Sequence, residues 1–155
     1  MKLTGVFKVL FLSIMCVSLL ITGSASASDA QLEEYISSFD YAARKEMKIH
    51  STELIPLLKE GKAQLVDIRF PEEYAVWKVE PSINIPVNEL PQKLDQLDQS
   101  KIIVVACPHK DRATVAMTYL RSKGIKSKYL RDGLLGLEEN LRGDNAKSFY
   151  EGLEK

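Results

Sequence analysis

Apolar positions along this chain follow two patterns, and each predicts its own kind of element. Short, strongly apolar stretches bounded by turn residues predict strands at Ala63–Ile68, Ile83–Ile85, Lys101–Ala106 and Lys126–Leu130, with Met47–His50 as a short edge strand. Between them, apolar residues recur every three or four positions. Leu32, Tyr35, Ile36, Phe39, Ala42 and Ala43 predict a helix over Ala30–Lys48, with Ser28 and Asp29 as N-caps. A second helix starts at Ser51 or Thr52, runs through Leu54, Leu57 and Leu58, and stops at Gly61. Pro71 opens a third with Glu72 and Glu73 in its first turn. Helical spacing continues over Asn88–Leu97, over Arg112–Lys123 with Gly124 closing it, and over Leu134–Leu141. Strands alternating with helices of about ten residues predict an α/β fold with a mainly parallel sheet.

The N-terminus has a different pattern. Lys2 and Lys8 precede an apolar run from Val9 to Ile21, and Ala25-Ser26-Ala27 has the small-residue form of a cleavage signal. The run is shorter than the roughly 18 residues of a spanning helix. Residues 1–27 are therefore expected to be a cleavable signal peptide, cut after Ala27, that sends the protein to the periplasm or outside the cell. Cys16 follows Met15 rather than the small residue of a lipoprotein signal, so no lipid anchor is expected. After cleavage the expected organisation is a helical extension at 28–48 and one domain at 49–155, with no membrane attachment.

Charge narrows the partners. The full chain has 21 Lys and Arg against 21 Asp and Glu. Its signal contains two of the bases and no acid, which leaves the mature chain at −2. No basic field favours nucleic acid. Export implies an oxidising compartment, yet the mature chain retains a single cysteine, Cys107, and so has no internal disulfide.

Cys107 ends the apolar run Ile102–Ala106, and a short polar loop leads from it to Arg112 and a helix. A strand that delivers one cysteine to a turn before a helix can aim backbone N–H groups at the sulfur, and the helix N-terminus adds partial positive charge. Both favour the nucleophilic thiolate. Asp67 and Arg69 also fall at a strand C-terminus, where open α/β sheets bind ligands, so they are expected to share the crevice. Arg69 is expected to pair with Glu72 or Glu73. Asp111 suits the N-cap of the helix that starts at Arg112, with a catalytic acid as the alternative. His109 and Cys107 have C-x-H spacing, but two ligands do not make a structural zinc site, and neither metal nor cofactor is expected.

Four stretches in this order, LVDIRFPEEY (65–74), INIPVNEL (83–90), IIVVACPHKDR (102–112) and YLRDGLLGLEE (129–139), resemble the rhodanese-like single-domain sulfurtransferases. The resemblance covers about Ile49 to Gly143. It implies a doubly wound five-stranded α/β domain with helices on both faces of the sheet, here preceded by the helical extension. It also implies that Cys107 takes a sulfane sulfur, becomes a persulfide, and passes the sulfur to a thiol or protein acceptor. By position, Pro108, His109, Lys110 and Asp111 form the substrate loop and Arg112 closes it, with Asp67 and Arg69 supporting it from behind.

Six residues from Cys107 through Arg112 is the loop size associated with sulfur transfer; the related phosphatases have one residue more. The implied donors are thiosulfate, polysulfide or a persulfide, and the implied small-molecule partners are sulfur-containing anions. The alternatives are a non-catalytic binding or sulfur-delivery module and, third, a phosphatase-like hydrolase. Two loop residues depart from the family pattern: Pro108 has no N–H to offer an anion, and Asp111 puts a carboxylate beside the site. The extension either packs on the domain or makes a homodimer contact.

Overall fold

The computed structural model describes residues 27–153. Five strands, β1 (Lys48–Ile49), β2 (Ala63–Asp67), β3 (Ile83–Asn84), β4 (Ile102–Ala106) and β5 (Ser127–Leu130), form one sheet in the order β1-β5-β4-β2-β3. Every pairing is parallel. The unbroken apolar run of β4 follows from its central place, because a strand covered on both faces has no solvent side on which to alternate. Helices α3 (Ser51–Lys59), α4 (Pro71–Val76), α5 (Asp111–Ser122) and α6 (Gly133–Asn140) connect the strands or follow them.

Successive side chains of a strand point to opposite faces, and the core divides accordingly. Ile103, Val105 and Cys107 face Ala113, Ala116, Met117 and Leu120 of α5. Val104 and Ala106 face the other way, into a cluster with Leu54 and Leu58 of α3 and Leu134 and Leu137 of α6. Cys107 therefore belongs to the α5 face. The fold is the doubly wound α/β sheet with helices on both faces that the sequence predicts.

Several boundaries differ. The helix expected over Ala30–Lys48 is two helices, α1 (Ala27–Ser37) and α2 (Tyr41–Glu46). Asp40 separates them by accepting a hydrogen bond from the Ala43 N–H at 2.8 Å, the N-cap geometry that starts a new helix. Ser28 and Asp29 lie inside the first turn of α1 rather than capping it. Helix α1 packs on α5, where the Tyr35 hydroxyl reaches the Met117 sulfur at 3.9 Å and Lys123 donates to Gln31 at 2.9 Å.

Asn88–Leu97 forms two 3-10 turns, Leu90–Gln92 and Leu94–Gln96, instead of an α-helix. Pro91 has no N–H to donate and breaks the α pattern there. A further helix, α7 (Asp144–Leu153), was not predicted; it is anchored by the buried Phe149. The expected leader lies outside the described residues apart from Ala27. Among the described residues, no helix is long and apolar enough to cross a membrane.

Candidate functional site

The site lies at the carboxyl ends of the central strands. In the parallel register Asp67 of β2 is opposite Ala106 of β4, so the residues after each strand emerge side by side. The loop that follows β4 rests on the start of α6. The Leu134 N–H donates to the Cys107 carbonyl at 2.8 Å and the Leu135 N–H to the Pro108 carbonyl at 3.3 Å. This approach requires Gly133, whose φ is +69°: a Cβ there would collide with the carbonyl oxygens of His109 and Pro108. The Asp-Gly dipeptide after β5 is the only sequence sign of this contact.

Cys107 has no exposed surface. The backbone amides of Ala113 and His109, two of the donors expected from a loop before a helix, pull the thiol's pKa down. The thiol donates to Asp111 Oδ1 at 3.4 Å. Burial, the largest influence, pushes the Cys107 thiol up from its ordinary value, and the Asp111 carboxylate pushes it the same way against the pull of the amides. Here the structure departs from the expected thiolate trap: the resting site favours a thiol hydrogen-bonded to a carboxylate.

Asp111 is the first residue of α5 rather than its N-cap, which is Lys110. Its carboxylate still draws amides, its own and that of Arg112, and these with the Cys107 S–H lower its pKa. His109 and Lys110 are exposed and Pro108 is half-buried. Lys110 forms no ion pair among the described residues, and its carbonyl accepts from the N–H and hydroxyl of Thr114, at 2.9 and 2.7 Å.

Arg112 does not offer a free cation to a substrate. Its two terminal nitrogens bind both carboxylate oxygens of Glu73 on α4, at 2.6 and 2.9 Å. This fork-to-fork pair holds the Glu73 carboxyl below its ordinary value and the Arg112 guanidinium above its own. Glu73 was expected to serve Arg69; no sequence pattern relates it to Arg112, 39 residues away.

Arg69 pairs instead with Asp67. The carboxylate of Asp67 accepts from Arg69 Nε at 2.9 Å, from one terminal nitrogen at 2.6 Å and from the Arg69 backbone N–H at 3.0 Å. The same guanidinium donates to the Trp77 carbonyl at 2.7 Å and lies 4.1 Å from the centre of the Trp77 ring. Both charged residues are buried, and the pair ties the end of β2 to the C-terminal end of α4.

A second cluster, not singled out from the sequence, supports the loop from the α6 side. Asp132 accepts from the Ser51 N–H at 3.1 Å and the Ser51 hydroxyl at 2.5 Å, and His50 Nε2 lies 3.4 Å from it. This ties the starts of α3 and α6 together immediately before Gly133. Among the described residues, no three His, Cys, Asp or Glu side chains gather as metal ligands.

The rhodanese-like domain profile matches residues 50–140. An HTH-type transcriptional regulator of Mycobacterium tuberculosis is 32% identical over 102 residues, which are 64% of this chain and 45% of the regulator; the chain thus spans less than half of that relative. The thiosulfate sulfurtransferase GlpE of Pseudomonas aeruginosa is 31% identical over 81 residues, 52% of this chain and 74% of that protein. Among solved structures, a rhodanese-related protein from Thermoplasma volcanium superposes with a TM-score of 0.55 at 28% identity, covering 60% of this chain and 91% of that one.

Proposed function

Because the chain belongs to the rhodanese-like domain family, we propose that it is a sulfurtransferase or sulfur carrier that works through a persulfide on Cys107. The observation that carries this reading is the placement of Cys107 at the end of a buried central strand, at the head of the loop that leads into α5. After losing its proton, Cys107 attacks the outer sulfur of a sulfane donor. A new S–S bond forms, the donor's own S–S bond breaks, and its electron pair leaves with the departing group, sulfite in the case of thiosulfate. The loop amides stabilise negative charge on the persulfide. An acceptor thiolate then attacks the terminal sulfur and Cys107 returns as thiolate. Small sulfur anions, thiols and protein acceptors are the partners proposed. The leader-like residues 1–27 support a periplasmic or secreted setting, which the intact mass of the exported protein tests directly.

Two observations favour a second reading, a delivery module with little turnover on small donors. Cys107 is buried with its thiol pushed up, and Arg112 is neutralised by Glu73. One experiment separates the readings: intact mass and turnover of the purified protein with thiosulfate or polysulfide, beside Cys107→Ser. A gain of one sulfur on the wild type alone, with repeated transfer to a thiol, supports the enzyme. Gain without turnover supports delivery. Absence of any gain from either donor overturns both, and hydrolysis of an aryl phosphate by the wild type and not by Cys107→Ser would mark a phosphatase.

A further inference from the structure

We propose that Asp111, together with the Glu73–Arg112 pair, makes the Cys107 site selective for sulfur presented on an organic thiol, as a hydropersulfide R–S–SH, over free dianionic donors such as thiosulfate. The inference rests on the sulfur-transfer reading above and names the substrate class of that site.

Three features of the mouth disfavour a dianion. The Asp111 carboxylate stands 3.4 Å from the sulfur that must be approached. The guanidinium of Arg112 is closed by both oxygens of Glu73, so the pair presents no net charge to an incoming anion. Pro108, the residue next to Cys107, contributes no N–H to an anion cradle. Thiosulfate brings two negative charges into this arrangement, whereas a hydropersulfide brings at most one and none when protonated. The surroundings of the loop suit an organic carrier. Phe70, just before α4, and Leu135, in the first turn of α6, are exposed apolar side chains next to two of the elements that hold the loop.

The same carboxylate handles the proton. As Cys107 Sγ attacks the outer sulfur of R–S–SH, Asp111 receives the thiol proton across the existing hydrogen bond. The S–S bond of R–S–SH breaks with its electron pair on the leaving R–S⁻, which takes the proton from Asp111. The balance is Cys107–SH plus R–S–SH giving Cys107–S–SH plus R–SH, and no oxidant or reductant is consumed.

The test measures sulfur loading on the full chain by quenched intact mass, with thiosulfate and with the hydropersulfide of 2-mercaptoethanol, for the wild type, Asp111→Asn and Glu73→Gln. The wild type is expected to load faster from the hydropersulfide. Each variant should raise the thiosulfate rate by roughly tenfold relative to the hydropersulfide rate, one by removing a negative charge and the other by releasing Arg112. Asp111→Asn should also shift the thiolate absorbance titration of Cys107 to lower pH, which a purely structural role would leave in place. Faster loading from thiosulfate in the wild type, or a donor ratio unchanged in both variants, overturns the proposal and leaves sulfur transfer standing. A wild type loaded by neither donor overturns sulfur transfer itself and the proposal with it.

Discussion

At the scale of single residues, the local environment decides more than the motif does. A cysteine between a strand and a helix suggests an activated thiolate, but burial and Asp111 set the resting proton on the sulfur. That proton has a consequence for stability. A group whose folded-state pKa is raised favours folding in its protonated form, so its contribution is complete below its unfolded value, about 8.5 for a thiol, and is lost as pH rises through the higher folded value. The wild type should therefore lose unfolding free energy as pH rises above about 8.5, and Cys107→Ser should lose less over the same range. Urea unfolding of both proteins at several pH values checks this; identical slopes would show that folding does not penalise the Cys107 thiolate. Cys107 and its loop were legible in the sequence because an apolar run ending in one cysteine is a local pattern. The partner of Arg112 was not, since it is supplied by another helix. Arg69 was assigned to the acids that follow it, whereas its guanidinium folds back on Asp67, where burial and the Trp77 ring favour a compact ion pair.

At the scale of elements, the contact between α6 and the cysteine loop is the most exposed to a small change. Gly133 has a left-handed φ and sits against the Pro108 and His109 carbonyls, while the next two amides, Leu134 and Leu135, hold the loop in place. A methyl group at Gly133 must displace backbone, not a flexible side chain. Gly133→Ala is accordingly expected to lower stability by about 2 kcal/mol or more, and to cut sulfur loading of Cys107 beyond what the lost stability explains. Thermal unfolding and intact-mass loading well below the melting temperature test the two parts. Full loading in a destabilised variant would separate the loop geometry from the chemistry. Short apolar runs bounded by turn residues made all five strands legible. The breaks were harder to read, because Asp40 and Pro91 act through one cap and one missing N–H inside spacings that otherwise look helical. Helix α7 escaped because its anchor is a single buried residue, Phe149.

At the scale of the whole molecule, the sheet separates two cores, and helix α1 packs outside one of them. Helix α1 lies on α5, the helix whose first turn contains Asp111 and Arg112, but Leu32, Ile36 and Phe39 remain largely exposed and α2 buries no residue. The side chains that fill the α5 face come from the sheet, from α5 itself and from the 88–97 segment, not from α1. Little apolar area is therefore lost when α1 is removed, and the cysteine loop keeps every contact that holds it, since those contacts come from α4, α5 and α6. A chain starting at Asp40 is expected to fold with a melting temperature only a few degrees lower and to load sulfur on Cys107 at a rate within about twofold of the full chain. Calorimetry and the loading assay measure these, and sedimentation of both chains reports whether the exposed stripe of α1 pairs two copies. Cooperative unfolding lost on truncation would make α1 part of the core. A preserved fold with a much slower reaction would mean that α1 acts on the site through α5, the helix it packs on and whose first residues lie beside Cys107.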